Sequence, residues 1–123
     1  MNRRIALVGH CGHDGPRMQA VIGRMFDTGV DRINDPDALQ TCCKSGPTLL
    51  LVNRELVGRW DNVEGVGLIR RVGREFPQAK AMLISDHADA QREAAEAGAV
   101  AGFGKTDLGT SKVEQVIRGA LDD

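Results

Sequence analysis

Short runs of apolar residues alternate along the chain with longer stretches in which apolar residues recur every three or four positions. The short runs have the length of buried strands, and the longer stretches have the period of amphipathic helices. The strand-length runs lie at Ile5–Val8, Asp31–Ile33, Thr48–Val52, Ala81–Ile84 and Val100–Phe103. No proline- or serine-rich linker and no internal repeat interrupts the alternation. The pattern therefore predicts a single α/β domain over residues 1–123, with a helix after each strand.

Capping residues mark the beginnings of several of these helices. Asp35 followed by Pro36 is typical of an N-cap with proline at the first helical position. Asn62 is placed to cap the third helix, and Ser111 with Glu114 resembles a capping box in front of the last one. Buried strands joined by helices form parallel sheets that are covered on both faces, with right-handed crossovers. We therefore expect a doubly wound, flavodoxin-like three-layer sandwich with strand order 2-1-3-4-5.

Charge and cysteine content narrow the functional classes. The chain has 16 basic and 17 acidic residues, a net charge of −1, so it has no strong positive field for nucleic acid or an anionic membrane. Its 3 cysteines are an odd number, and Cys42 and Cys43 are adjacent, which suits reduced thiols better than a disulfide framework. No apolar run has the length of a signal-peptide core or a membrane span. We expect a cytoplasmic protein with no nucleic-acid or membrane partner.

The chain contains Thr48–Asn53, Glu64–Arg71 and Ala97–Lys105 in an order and spacing that together resemble the receiver domain of bacterial two-component response regulators, and the resemblance covers essentially the whole chain. Thr48–Asn53 resembles the third receiver strand, which in that family ends in the phosphoacceptor aspartate. Glu64–Arg71 resembles the Asp-Gly-x-x-Leu-Leu-Arg opening of the helix that follows. Ala97-Gly98-Ala99 is similar to the family's Ala-Gly-Ala, with Lys105 in the place of its lysine. The resemblance implies the receiver fold.

The residues that carry receiver chemistry depart from the family pattern. Asn53 stands where the acceptor aspartate is expected, and an amide is a poor nucleophile for a phosphoryl group. Gly9 and His10 replace the acidic pair that would hold Mg²⁺, whereas Ser85 and Lys105 match the family's hydroxyl and lysine. The resemblance therefore implies a degenerate phosphoacceptor pocket formed by these five residues. It also implies that the chain has no catalytic residue, bound metal or cofactor.

A chain of this kind resembles the pseudo-receivers, so we expect a stand-alone signalling module that acts without phosphorylation and without enzymatic activity. Its expected partner is another protein of a signalling pathway, and it could also form a homodimer. Two sets of residues are candidates for the partner surface. Trp60 lies in the loop after the third strand, and Lys112, Gln115 and Arg118 lie on the outer face of the last helix. In receivers, the surface that includes the last helix serves dimerisation or output.

A second hypothesis concerns the loop from His10 to His13. His10, Cys11, His13 and Asp14 are a dense set of metal-ligand residue types, although a site built from neighbouring residues alone would be cramped. The loop is also faintly similar to the Asp-x-His-x-x-Gly pattern of cobalamin-binding domains, with Cys11 in the aspartate position and Pro16 in the glycine position. A small-molecule or cobalamin-binding flavodoxin-like domain therefore remains the alternative.

Overall fold

The computed structural model describes residues 3–61 and 64–122, in which strands and helices alternate along the chain as predicted. The elements are β1 (Arg4–Val8), α1 (Asp14–Phe26), β2 (Val30–Ile33), α2 (Pro36–Lys44), β3 (Thr48–Asn53), α3 (Gly65–Glu75), β4 (Lys80–Ile84), α4 (Ala88–Glu96), β5 (Val100–Phe103), a 3-10 turn at Lys105–Asp107, and α5 (Ser111–Leu121). Each strand begins and ends within one residue of its predicted bounds. Among the described residues, no helix is both long enough and apolar enough to span a membrane.

The five strands form one parallel sheet in the order β2-β1-β3-β4-β5, which confirms the predicted topology. The β1 residue Ile5 pairs with Val30 on one side and with Leu49 on the other, so the central strands are in close register. Because all strands run in the same direction, their C-terminal ends meet at one edge of the sheet. The loops that leave this edge carry the predicted pocket residues.

Two apolar cores lie on the two faces of the sheet. The α2/α3/α4 core contains Val8, Leu39, Leu50, Val52, Leu68, Ile69 and Leu83, among others. The α1/α5 core contains Leu7, Met18, Ile22, Leu49, Leu51, Met82 and Ile117, among others. Successive β3 residues point into opposite cores, as the period of two requires, and all six are buried. Because β3 is packed on both faces, the position of its last residue, Asn53, is fixed by the core.

The helix caps agree with the sequence in one case and differ in another. The Asp35 carboxylate accepts a hydrogen bond from the Ala38 N–H at 2.8 Å, which confirms the predicted cap of α2. The Ser111 capping box was wrong: Ser111 is the first residue of α5, and Thr110 is the N-cap. The Thr110 hydroxyl donates instead to the Asp107 carbonyl at 2.6 Å, because the preceding 3-10 turn brings that carbonyl within reach.

The predicted cap of α3 lies outside the described residues, since Asn62 belongs to the short gap at residues 62–63. The helix itself begins at Gly65, with Glu64 in the N-cap position. A Cβ atom at Gly65 would lie 2.0 Å from the Asn53 carbonyl oxygen. The start of α3 therefore packs directly on the end of β3, and only glycine fits there.

Candidate functional site

Asn53 occupies the last position of β3 at the C-terminal edge of the sheet and is 9% exposed. Its side-chain nitrogen donates to the Gly9 carbonyl at 3.1 Å and to the Glu55 carbonyl at 2.7 Å. Both amide hydrogens are thus used to tie the end of β1 to the loop after β3. At the position that the receiver resemblance assigns to the nucleophile, this chain has a hydrogen-bond donor that points at backbone carbonyls.

The loop after β3 folds back over the ends of β1 and β2. The Val57 N–H donates to the Gly9 carbonyl at 2.9 Å, and the Arg59 N–H donates to the Asn34 carbonyl at 2.8 Å. Gly9 has a φ of +72°, and a Cβ atom there would lie 2.7 Å from Leu56 Cδ2. Leu56, which is itself buried, therefore covers Gly9, the first position that the resemblance assigns to the acidic pair. Sequence reasoning missed this residue, although an apolar side chain in a polar loop was a signal for it.

His10, at the second position of that pair, is 2% exposed. Its Nε2 lies 2.8 Å from the Leu51 carbonyl, so Nε2 carries the proton and donates it. Nδ1 has no hydrogen-bond partner among the described residues. Burial lowers the pKa of His10 to about 4, and the positive charges of Lys105 and Arg32 act in the same direction. His10 is therefore a neutral, buried imidazole at neutral pH.

Lys105 is neutralised by a carboxylate from the same chain. Its Nζ lies 2.8 Å from Asp14 Oδ2, and the two side chains are 33% and 27% exposed. The hydrogen bond from Lys105 is the main cause that lowers the pKa of Asp14. Asp14 is the first residue of α1, where the helix dipole also favours a negative charge. The sequence pointed to Asp14 only as a metal ligand, whereas the structure makes it the partner of Lys105.

The Ser85 hydroxyl, which follows β4, is satisfied within its own loop. Ser85 Oγ accepts a hydrogen bond from the His87 N–H at 3.1 Å, and the Ser85 N–H donates to the Phe103 carbonyl at 2.9 Å. The side-chain nitrogen of Gln91 donates to the carbonyls of Leu83 and Ser85 at 2.9 and 3.0 Å. Gln91, which the sequence had not singled out, thus fixes the end of β4 next to the end of β5.

The structure brings three of the five predicted pocket residues together. Asn53, Ser85 and Lys105 line a shallow cleft of about 300 Å³ at the edge of the sheet. Gly9 lies under Leu56, and His10 is buried, so neither lines that cleft. Among the described residues, no group of three or more His, Cys, Asp and Glu side chains is arranged to hold a metal ion. The remaining polar groups of the cleft are largely paired with each other or with backbone.

The candidate partner residues lie on two separate parts of the surface. Trp60 is half-buried against the α2/α3/α4 core, and its Nε1–H donates to the Val57 carbonyl at 3.1 Å. Lys112, Gln115 and Arg118 are exposed on α5, which packs on the opposite face of the sheet. The Arg118 guanidinium lies 5.3 Å from the centre of the Phe26 ring. Trp60 and the α5 residues therefore do not form one surface, and their role in binding stays a prediction.

Two of the residues that suggested a metal or cobalamin site already make hydrogen bonds within the chain, and a third is exposed to solvent. His10 is hydrogen-bonded to the sheet through Nε2, the Cys11 sulfur accepts a hydrogen bond from the Asp14 N–H at 3.3 Å, and His13 is exposed. Both hypotheses stay predictions. In α2, Cys42 is buried and Cys43 is half-buried, and burial raises the pKa of both thiols. Both are free cysteines, and neither points to a redox role.

Neither a protein-family model nor a curated protein matches this sequence, but solved structures do. NtrX from Brucella abortus matches with a TM-score of 0.80 and 18% identity, over 99% of this chain and 27% of NtrX. The signal receiver domain of an HD domain-containing protein from Pseudomonas fluorescens Pf-5 matches with a TM-score of 0.79 and 17% identity, over 98% and 88% of the two chains. A CheY-like response regulator receiver domain protein from Methanospirillum hungatei JF-1 gives 0.76 and 18%, over 99% and 95%.

This chain has the receiver fold. The strand order and the near-complete coverage of two receiver domains support the fold expected from the sequence. The chain spans only 27% of the length of NtrX. At an identity of 18% or less, the likeness in these three structures establishes architecture, and the function has to be argued from the site.

The Asp14–Lys105 ion pair is expected to stabilise the receiver fold by about 0.5–1 kcal/mol, because both side chains are partly exposed to solvent. A double-mutant cycle with Asp14→Asn and Lys105→Gln, followed by urea denaturation at neutral pH, measures this coupling. Since the folded state lowers the pKa of Asp14, the contribution is present above the ordinary value of 3.8 and is lost as the pH falls below it. A coupling free energy of zero would contradict the expected stabilisation by this ion pair.

Proposed function

We propose that this chain is a signalling module with the receiver fold that acts by binding another protein and does not depend on phosphorylation. The observation that carries the proposal is the environment of Asn53. Its amide donates to the carbonyls of Gly9 and Glu55, at the position where a receiver needs a carboxylate nucleophile. An amide in this arrangement supplies no negative charge and no adequate nucleophile for a phosphoryl group. On this proposal the chain has no enzymatic activity of its own.

The surroundings of Asn53 support the same proposal. Mg²⁺ prefers oxygen ligands, and the two positions that would supply carboxylates hold Gly9 and a neutral His10. Leu56 lies over Gly9, and the Lys105 amine is already paired with Asp14. Phosphoryl transfer depends on charge neutralisation by a metal and a free cation. Without these groups, the cleft favours one fixed arrangement of the edge loops.

We further propose that the partner is a protein of a cytoplasmic signalling pathway and that it binds the outer face of α5. Lys112, Gln115 and Arg118 are exposed there, outside the paired groups of the cleft. Trp60 is a second candidate contact residue for the partner. It is half-buried in the loop between β3 and α3, on the other face of the sheet. The net charge of −1 favours a protein partner over nucleic acid.

Incubation with acetyl phosphate and Mg²⁺ is expected to leave the intact mass of the protein unchanged, because Asn53 cannot accept a phosphoryl group. Beryllofluoride with Mg²⁺ should likewise leave the fluorescence of Trp60 unchanged. A phosphorylatable receiver treated in parallel controls for the activity of both reagents. A stoichiometric, Mg²⁺-dependent phosphoryl adduct on this chain would overturn the proposed function.

A further inference from the structure

The outer face of α2 carries four polar residues, Asp37, Gln40, Thr41 and Lys44, and all of them are exposed. Residues at this spacing lie on one side of a helix. The Thr41 hydroxyl donates to the Asp37 carbonyl at 3.0 Å, so this side chain folds back against the helix. In the part of the chain that the structure describes, neither the Asp37 carboxylate nor the Lys44 amine has an ion-pair partner. This face therefore has an unpaired anion at one end and an unpaired cation at the other.

The two charges make the outer face of α2 complementary to itself. Asp37 lies in the first turn of α2 and Lys44 in the last turn. The rise of an α-helix separates them by about 10 Å along its axis. A two-fold axis that crosses α2 between Gln40 and Thr41 lies midway between the two charges. Such an axis reverses the direction of the helix, so Asp37 of each copy faces Lys44 of the other.

A groove of about 400 Å³ lies between α2 and α3 beside this face. Three of the four face residues line its α2 side. On its α3 side, Phe76 is partly buried, and Arg71 and Glu75 neutralise each other in an ion pair. The unpaired charges along the groove are thus Asp37 and Lys44. A helix that lies along the groove would cover apolar surface and meet both of these charges.

We propose that the outer face of α2 binds a second copy of the same chain, with the two α2 helices antiparallel across a two-fold axis. Asp37 of each copy pairs with Lys44 of the other. At the centre, Gln40 of each copy lies opposite Thr41 of the other. Packed helices lie about 8–10 Å apart, and the folded-back Thr41 side chain leaves room for this approach. Each α2 lies along the groove of the other copy.

The proposal commits to a second copy because a copy supplies both opposite charges at the required spacing. The helix dipole also favours aspartate in the first turn of a helix and lysine in the last. That effect acts within one chain, so by itself it produces no salt-dependent change in molecular mass. Exposed ion pairs contribute little and are screened by salt, so the dimer should be weak and salt-dependent. The dimer involves neither the cleft nor α5, and it does not depend on the proposed function.

Sedimentation equilibrium at low and high salt, about 20 mM and about 500 mM, tests the proposal. We expect a reversible dimer at low salt whose dissociation constant rises at least about tenfold at high salt. The variants Asp37→Lys and Lys44→Asp should each be monomeric, because like charges then face each other. An equimolar mixture of the two should form a heterodimer, since one copy then carries two lysines and the other two aspartates. The double variant Asp37→Lys/Lys44→Asp should form a homodimer again, although both of its charges oppose the helix dipole.

The matched control is Arg24→Asp, which makes the same change in charge as Lys44→Asp. Arg24 is exposed and lies in the last turn of α1, as Lys44 does in α2. This variant should dimerise as strongly as the wild-type protein. The proposal is overturned if the wild-type protein is monomeric at low salt up to millimolar concentration, or if both single variants of α2 remain dimeric. A double variant that is folded by circular dichroism but monomeric also overturns it.

Discussion

Replacing Asn53 by aspartate, the residue that the receiver resemblance would restore, is expected to destabilise the fold by about 3 kcal/mol at neutral pH. The amide now donates two hydrogen bonds to the Gly9 and Glu55 carbonyls, 3.1 and 2.7 Å away. A carboxylate would place a negative charge against the same two oxygens in a site that is 9% exposed. Loss of the two donors and burial of an unpaired charge each cost about 1–2 kcal/mol. Urea denaturation of the two proteins measures the difference.

Asn53→Ala separates the two causes, because it removes the hydrogen bonds without adding a charge. It should cost about 1–2 kcal/mol at every pH near neutrality. The aspartate variant should differ in its pH dependence, because carbonyl oxygens and burial raise the pKa of the new carboxyl group. Its deficit relative to wild type is full above that raised pKa and shrinks as the pH falls and the carboxyl becomes neutral. An aspartate variant as stable as the wild-type protein at neutral pH would contradict the geometry of Asn53.

The expected loss of stability is one reason why a single substitution would not restore the chemistry of a receiver. The acidic pair would also have to return, and Gly9 has a φ of +72° with Leu56 directly over it. A side chain at Gly9 would be strained in that backbone conformation and would collide with Leu56. The loop after β3 would then have to move. Asn53, Gly9 and Leu56 therefore belong to one packed arrangement.

The fold was predictable because its elements follow from local patterns. The alternation of strand-length and helical periods specified a parallel sheet, and few topologies suit a chain of that length. The receiver resemblance singled out Asn53, Ser85 and Lys105, and the predicted strand ends placed them at one edge of the sheet, where the C-terminal ends of parallel strands meet. The structure brings these three residues to one cleft. Strand ends are specified by the backbone, so their residues could be located without coordinates.

The contacts that close the site could not be read from the sequence, because they depend on the path of loops and on pairs far apart in the chain. Lys105 and Asp14 are 91 residues apart, and no local pattern connects them. Leu56 reaches Gly9 only because the loop after β3 turns back over β1. The predicted cap of α5 was wrong for the same reason, since the Thr110 hydroxyl donates to the Asp107 carbonyl in the turn before the helix.

The stability of the fold is expected to fall by about 3 kcal/mol between pH 6.5 and pH 4, and His10 is the cause. Its pKa is lowered from 6.5 in the unfolded chain to about 4 in the folded one, mainly by burial. Above pH 6.5 the imidazole is neutral in both states, so it contributes no difference. Between these two pH values the unfolded state binds a proton that the folded state does not bind. The free energy of unfolding therefore decreases as the pH decreases. A pKa difference of one between the folded and unfolded states corresponds to about 1.4 kcal/mol of stability.

Urea denaturation at a series of pH values from 7 to 4 measures this loss, and His10→Gln isolates its source. Glutamine keeps an N–H that can donate to the Leu51 carbonyl, as His10 Nε2 does at 2.8 Å, but it does not titrate. The variant should therefore lose much less stability over this range, while His87→Gln, at an exposed histidine, should follow the wild-type curve. The Asp14 contribution is lost only below pH 3.8, so it does not obscure the comparison. If the curves of the wild-type protein and His10→Gln run parallel from pH 6.5 to 4, then His10 is not the buried neutral group that its position under the edge loops requires.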